Sequence, residues 1–416
     1  ARQGALHELG AFGTAMQHEH HLLLHLAEAG GGADPLQTEE VPPWRMRERI
    51  KTSSLVLVMA LNLGVDPPDV IKPTPCARLE CWIEPQVGQK AIEAIAKALQ
   101  AQYEQWQPRA RIRACLDPTA DEVRKWCMAM RRAAPGKDER LLLHVNTHGT
   151  PRPTVNGEVW LFNKLFTQYT PVSVYDLQSW LAPPCALVFD CSSAGRLSAA
   201  LTTMLGNAHP DTAPALGIDV ILLCACGADE DLPTRPDLPA DLFTACLTTP
   251  MRVVLEFASS DGLVSVPPSL LASGLPGSLS DRRSPAGELN WAFTAITDAI
   301  AWASLPRDLF RRLFRQDMLL ASLFRNFLLA QRILSRFNVH PVSLPAIPPT
   351  HTHPLWDAWD LAVETVLVQL AAATKDAPDP AAAASPAAPA AASGIGMARG
   401  GVSGGAGCEA GREGGA

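Results

Sequence analysis

Two short loops carry the residue types from which a thiol nucleophile is built. The apolar run 141–145 leads into Asn146, Thr147, His148 and Gly149, and the run 186–189 leads into Asp190, Cys191, Ser192, Ser193, Ala194 and Gly195. Both runs have the length of a buried strand, and in an open parallel sheet the loops at the carboxyl ends of strands line the ligand crevice. A His and a Cys at two such ends can face each other. A free thiol, with a pKa of about 8.5, is only a few per cent ionised at neutral pH, and a neighbouring imidazole raises that fraction by stabilising the anion. Gly149 and Gly195 would let backbone N–H groups approach an oxyanion. The competing account is plainer: His148 closes a strand end and Cys191 is a small buried hydrophobe, because one Cys and one His make a permissive pattern.

The charged neighbours point away from catalysis. Asp190 adjoins Cys191 and, if ionised, raises the thiol pKa by like charge. Arg152 follows the His loop and could neutralise Asp190 or grip an acidic peptide group bidentately, although a surface arginine in solvent is the commoner fate. Asn146, Gly149, Arg152 and Asp190 are therefore binding candidates around the His148/Cys191 pair. The loop-rich stretch with Pro151, Pro153, Asn156, Gly157, Trp160, Phe162, Phe166 and Tyr169 also favours binding, since ordered loops and aromatic side chains anchor interfaces. For Trp160 and Phe162 a core-packed hairpin after the Asn-Gly turn is an equal alternative.

The elements that must position these loops follow from periodicity. The runs 54–61, 141–145, 186–189 and 219–225 read as strands of a mostly parallel sheet with helices on both faces. Ile92, Ile95, Ala96, Leu99, Tyr103 and Trp106 recur at helical spacing. A second helix opens on the Thr119/Glu122 capping box and buries Val123, Trp126, Cys127 and Met130, so two helices follow the first strand. Segments 287–304, 306–316, 318–334 and 355–372 are helical by period, interrupted by Pro306 and the proline-rich link 340–354. From Asp376 onward Ala, Pro and Gly dominate, and disorder is expected.

Composition narrows the function. The 416 residues carry a formal net charge of −7 with no basic stripe, so a nucleic-acid partner is not expected. No apolar run approaches the roughly 20 residues of a bilayer span. Ten cysteines lie singly, without CxxC pairs, which predicts free thiols and a cytoplasmic protein. His18, His21 and His25 share a helix face, but no acidic or thiol ligand joins them, so no metal is expected. Gly394 and Gly396 lack the preceding strand of a dinucleotide fingerprint, and no cofactor is implied. The chain starts at Ala1 and reads as a fragment of a longer protein.

Longer strings resolve the choice between the two accounts of His148 and Cys191. LNLGVDPPDVIKPTPCARLECWIEP (61–85), HGTPRPTVNGEVWLFNKLFTQYTPVSVYDLQSW (148–180), LPADLFTACLTTP (238–250), SDRRSPAGELNWAFTAITDAIAW (280–302) and LPRDLFRRLFRQDMLLASLFRNFLLAQRIL (305–334) resemble the Raptor family over about residues 42–370. The resemblance implies a caspase-like domain over 42–280 that retains a pseudo-catalytic dyad, His148 and Cys191, without enzymatic activity. It also implies a helical extension over 281–373 that begins an armadillo-type solenoid, between a frayed segment 1–41 and a tail 374–416. The implied function is an adaptor of TOR complex 1 in nutrient-responsive growth control. Its partners would be the TOR kinase, substrates carrying a short hydrophobic-acidic TOR signalling motif and, through TOR, a small β-propeller subunit, with the lysosome or vacuole surface as a place of recruitment. The alternative is a caspase- or metacaspase-like cysteine peptidase using the same two residues. The sequence departs from the family's Asn-Gly-His-Gly-Val loop at Thr147 and Thr150. A β-branched residue at 147 cannot cheaply take positive φ.

Overall fold

The computed structural model describes residues 49–63, 80–83, 88–207, 219–235, 238–260 and 274–375. The histidine cluster at 18–25, the glycines at 394 and 396 and the Ala/Pro/Gly-rich tail lie outside these residues. The strands are β1 (Lys51–Met59), β2 (Arg111–Leu116), β3 (Glu139–Asn146), β4 (Glu158–Phe162), β5 (Tyr169–Ser173), β6 (Cys185–Asp190), β7 (Val220–Cys224) and β8 (Val342–Leu344). The helices are α1 (Gln89–Trp106), α2 (Ala120–Ala133), α3 (Val174–Leu181), α4 (Gly195–Asn207), α5 (Leu242–Thr248), α6 (Pro250–Ser260), α7 (Pro285–Ser304), α8 (Arg307–Arg315), α9 (Met318–Ser335) and α10 (Leu355–Lys375). By internal packing the described residues fall into two compact units, the first drawn from those up to 250 with 297–353, the second from 251–296 with those from 354 onward.

The first unit is built on a six-stranded sheet ordered β2-β1-β3-β6-β7-β8, parallel except for β8. The four runs read as strands are β1, β3, β6 and β7. Every residue of β6 and β7 is buried, and so is β3 after its first residue, as a sheet covered on both faces requires. The covering layers follow from the strand order. The chain steps outward from β1 to β2 through α1, then back toward β3, β6 and β7 through α2, α3 and α4. Right-handed crossovers must then put α1 on one face and α2, α3 and α4 on the other. The packing agrees: α5 and α9 join the α1 layer, while α2 packs on α3 and α3 on α4.

Two strands were not legible as such. Between the two helices expected after the first strand lies β2, where exposed Arg111 and Arg113 alternate with partly covered Ile112 and Ala114 before buried Cys115. Arg111 and Arg113 break the apolar signal, but an edge strand tolerates polar residues on its open face, and the Arg113 guanidinium stacks 4.0 Å from the Trp126 ring centre. Trp126 is accordingly half-buried rather than buried, as is Met130. The second is β8, which comes from the proline-rich link and pairs Leu344 with Leu222 and Val342 with Cys224. Prolines 341 and 345 flank it, and only a short edge strand can accept such neighbours. Elsewhere the local signals hold. Thr119 Oγ1 accepts the Glu122 N–H, and Glu122 Oε2 accepts the Thr119 N–H at 3.0 Å. Trp160 and Phe162 lie in the β4–β5 hairpin, Phe162 being fully buried. The second unit holds α6, the first part of α7, and α10, with Phe293 and Trp359 rings 5.2 Å apart.

The end of the sheet opposite the His and Cys loops is fixed by one buried ion pair. Asp317, the N-cap of α9, accepts the Leu319 and Leu320 N–H groups at 3.0 and 3.4 Å. Its Oδ2 receives Thr52 Oγ1 of β1 at 2.7 Å and Arg140 of β3 at 2.8 Å, and both charged side chains are about 1 % exposed. Removing one partner strands the other charge in the core, which costs about 3–5 kcal/mol. Asp317→Ala is therefore expected to lose that much stability in urea denaturation, and the double variant Asp317→Ala/Arg140→Met to recover part of it. A loss below about 1 kcal/mol in the single variant would contradict this role.

Candidate functional site

The site grows from a register. Strands β3 and β6 pair Asn146 with Asp190, so their carboxyl ends coincide. His148 lies two residues beyond one end and Cys191 one residue beyond the other. Asp190 is at the centre, fully buried. Its Oδ1 faces His148 Nε2 at 3.2 Å, and its Oδ2 accepts the Thr244 N–H at 2.8 Å and the Thr244 hydroxyl at 2.5 Å. Burial would raise the carboxyl pKa, but the His148 imidazole and the two Thr244 donors outweigh it, and Asp190 is held below the usual carboxylate range.

These contacts fix the protons of a chain that runs through the α1 layer. Because Thr244 Oγ1 donates to Asp190, it must accept from His144 Nε2, 3.1 Å away. His144 Nδ1 is then an acceptor and receives the Tyr103 hydroxyl at 2.9 Å. His144 is completely buried, and burial pulls its pKa down to about 4, so it is neutral. A ladder of Tyr103, His144, Thr244, Asp190 and His148 thus runs from the α1 layer to the loop beyond β3. Of its members, Tyr103 was read from sequence only as part of a helix stripe, and His144 and Thr244 were not singled out. The one visible signal was a lone polar residue, His144, inside the apolar run 141–145; nothing local distinguishes Thr244, which α5 delivers from far along the chain.

The ladder supplies a base and the carboxylate that orients it, as in a catalytic triad. The nucleophile is another matter. Cys191 is 3 % exposed. Burial drives its thiol far above the ordinary range, Cys226 and Asp190 add to that, and the Thr147 side chain beside the sulfur offsets only part. The sulfur is a protonated thiol at neutral pH. The oxyanion expectation also finds no support at Gly149, whose N–H donates to the Ala60 carbonyl at 3.1 Å. That glycine serves packing, since a Cβ there would lie 1.9 Å from the Leu61 carbonyl carbon. At Gly195 a Cβ would lie 2.5 Å from the Ala228 nitrogen.

The remaining candidates divide. Asn146 is buried at the strand end, its Oδ1 accepting the His148 N–H at 3.3 Å. Arg152 does not reach Asp190; it pairs on the surface with Asp231 at 2.9 Å. The unusual threonines are accommodated locally. Thr147 keeps a negative φ, and Thr150 closes the turn through its N–H and hydroxyl on the Thr147 carbonyl at 3.2 and 3.3 Å. The Cys191 loop is tied to residues 226–232 by Ser193 N–H on Glu230 O at 2.8 Å and Leu232 N–H on Ser192 Oγ at 3.1 Å. Among the described residues no cluster of His, Cys, Asp and Glu could hold a metal ion, and no helix is long and apolar enough to cross a membrane.

His144 makes the stability of this end pH-dependent. Its folded pKa of about 4 lies below the ordinary value of 6.5, so between those values the unfolded chain binds a proton that the native state refuses. Stability contributed by neutral His144 is complete above about pH 6.5 and is lost as pH falls toward 4, by up to about 1.4 kcal/mol per pH unit. Urea denaturation between pH 4.5 and 7 should show a steeper dependence for the unaltered protein than for His144→Gln. Equal slopes would contradict the assignment.

Comparison with known proteins agrees with the geometry. Residues 50–201 match the Raptor N-terminal CASPase like domain. The chain is 51 % identical over 348 residues to the Target of rapamycin complex 1 subunit mip1 of Schizosaccharomyces pombe, covering 80 % of this chain and 26 % of that one. It is 51 % identical over 349 residues to Regulatory-associated protein of TOR 1 of Arabidopsis thaliana, covering 82 % and 26 %. The crystal structure of Chaetomium thermophilum Raptor matches with a TM-score of 0.70 at 49 % identity, over 79 % of this chain and 30 % of that one. The chain spans about a quarter of the length of the curated relatives it matches. A mostly parallel caspase-like sheet, the matched domain and identities near one half converge: the chain belongs to the Raptor family, whose N-terminal caspase-like domain it carries.

Proposed function

We propose that this chain acts as a scaffold in TOR complex 1, holding the TOR kinase and presenting substrates that carry a TOR signalling motif, and that it is not a peptidase. The observation that carries the second half is the state of Cys191: a nucleophile must reach its substrate as a thiolate, and this thiol is buried and protonated. His148, Asn146, Gly149 and Asp190 are then structural remnants that lock two strand ends together, and Arg152 is a surface residue. The first half is supported by relatives named as TOR complex 1 subunits and regulatory-associated proteins of TOR. Membership of that complex would bring a small β-propeller subunit into contact through TOR. It would place the protein in the cytoplasm, with recruitment to the lysosome or vacuole surface. We divide the chain into a caspase-like part, 42–280, and a helical extension, 281–373, of which α8, α9 and β8 complete the first unit.

The test is complementation of Raptor-deficient cells with the full-length protein bearing this region. Cys191→Ala should bind TOR and restore phosphorylation of TOR substrates to the level of the unaltered protein. Turnover of a fluorogenic Arg- or Asp-peptide library that disappears in Cys191→Ala, or loss of signalling by a folded, TOR-bound variant, would overturn the scaffold reading.

A further inference from the structure

On the sheet face away from the Asp190 ladder, α2 and α3 border a cavity of about 730 Å³ lined by Arg124, Met128, Arg131, Arg132, Asp176 and Trp180, among others. Clefts that take ligands have volumes of roughly 300–1,000 Å³. Its floor is rigid. All five Arg131 N–H groups are spent on backbone carbonyls: Leu181, Ala134, Glu139, Ala182 and Pro184. That side chain ties the end of α2 to the segment leaving α3 and has no donor left for a ligand.

The walls are different. Arg124, Met128 and Arg132 recur at i, i+4 and i+8 on α2 and so share one face, spanning about 12 Å at 1.5 Å per residue. Neither Arg124 nor Arg132 has a carboxylate partner among the described residues. The nearby acids are engaged: Asp121 with Lys164 at 3.1 Å, and Glu122 in the capping box. Met128 is 42 % exposed between the two arginines, and Trp180 flanks it from α3 with its indole N–H on no described acceptor. The groove therefore holds three arginines against the single acid Asp176, on a chain whose net charge is −7. A cation, an exposed methionine and a second cation in one row complement two acids with an apolar residue midway between them.

We propose that this groove docks an acidic amphipathic helix of another protein. Its apolar stripe would lie on Met128 and Trp180 while its carboxylates meet Arg124 and Arg132. Helix-in-groove recognition reads anchors at this spacing, and flexible methionine suits an apolar anchor. The site is distinct from the His148/Cys191 end, and its occupancy does not rest on the TOR reading.

The experiment uses the full chain and a fluorescein-labelled 15-residue peptide with glutamates at positions 3 and 11 and leucine at 7 in an otherwise Ala/Gln helix. Controls are a scrambled peptide of equal composition, a peptide with lysines in place of the glutamates, and vesicles containing anionic phospholipid. Anisotropy should show the designed peptide binding at least ten-fold tighter than either control peptide. Arg124→Glu/Arg132→Glu should abolish that preference, and Met128→Ser should weaken binding about three-fold. All three side chains are on the surface, so unchanged thermal unfolding is expected and keeps the test interpretable. Equal binding of the scrambled peptide, undiminished binding by the charge-reversed variant, or binding to vesicles alone would each overturn the proposal.

Discussion

A carboxylate removed from water must be met by donors or give up its charge, and Asp190 shows what meeting that demand imposes. Its donors come from a loop two residues past β3 and from α5, the latter far along the chain. To supply them, β3 and β6 must end in register, and α5 must lie on the α1 side of the sheet. Thr244 can donate its proton only if His144 donates in turn, and that fixes the tautomer of a histidine inside the central strand. One buried charge thus coordinates two strands, two helices and a surface loop.

The opposite end of the same strands follows a parallel logic with different chemistry. There Asp317 caps α9, and Arg140 pairs with it from within β3. Both ends of β3 are held by buried ionic groups while its middle is apolar apart from His144. Apolar strands of similar length can slide past one another at little cost in burial; a strand anchored by a specific hydrogen-bonded charge at each end cannot. We regard this as what keeps β3 in register with its neighbours, the pairing with β1 shifting only between Thr52 and Ser54.

The same arrangement supports the scaffold reading proposed for this chain over a peptidase. In a thiol enzyme the cysteine must be accessible and flanked by charge of the helpful sign. Here the carboxylate that orients His148 adjoins Cys191 and opposes its ionisation, and burial opposes it further. His148 and Asp190 tie the loop beyond β3 to the end of β6 without involving the sulfur. Gly149 is likewise explained by the close approach of the Leu61 backbone rather than by an oxyanion.

The sequence by itself determined the four central strands, the capped α2, the helical periods of α7 to α10 and the family, because each is written in local spacing or in long strings. Residues at the strand ends, His148 and Cys191, were also legible, since apolar runs followed by a polar loop mark such ends. Tertiary structure alone decided the rest. Strand β2 and strand β8 exist because a sheet edge accepts arginine and proline-flanked segments that have no intrinsic strand signal. Thr244 joins the site only because α5 folds back over β3 and β6. The Cys191 thiol is pushed above its ordinary range by what surrounds it, and the solvation of a thiol, unlike the identity of its neighbours in sequence, is a property of packing in three dimensions.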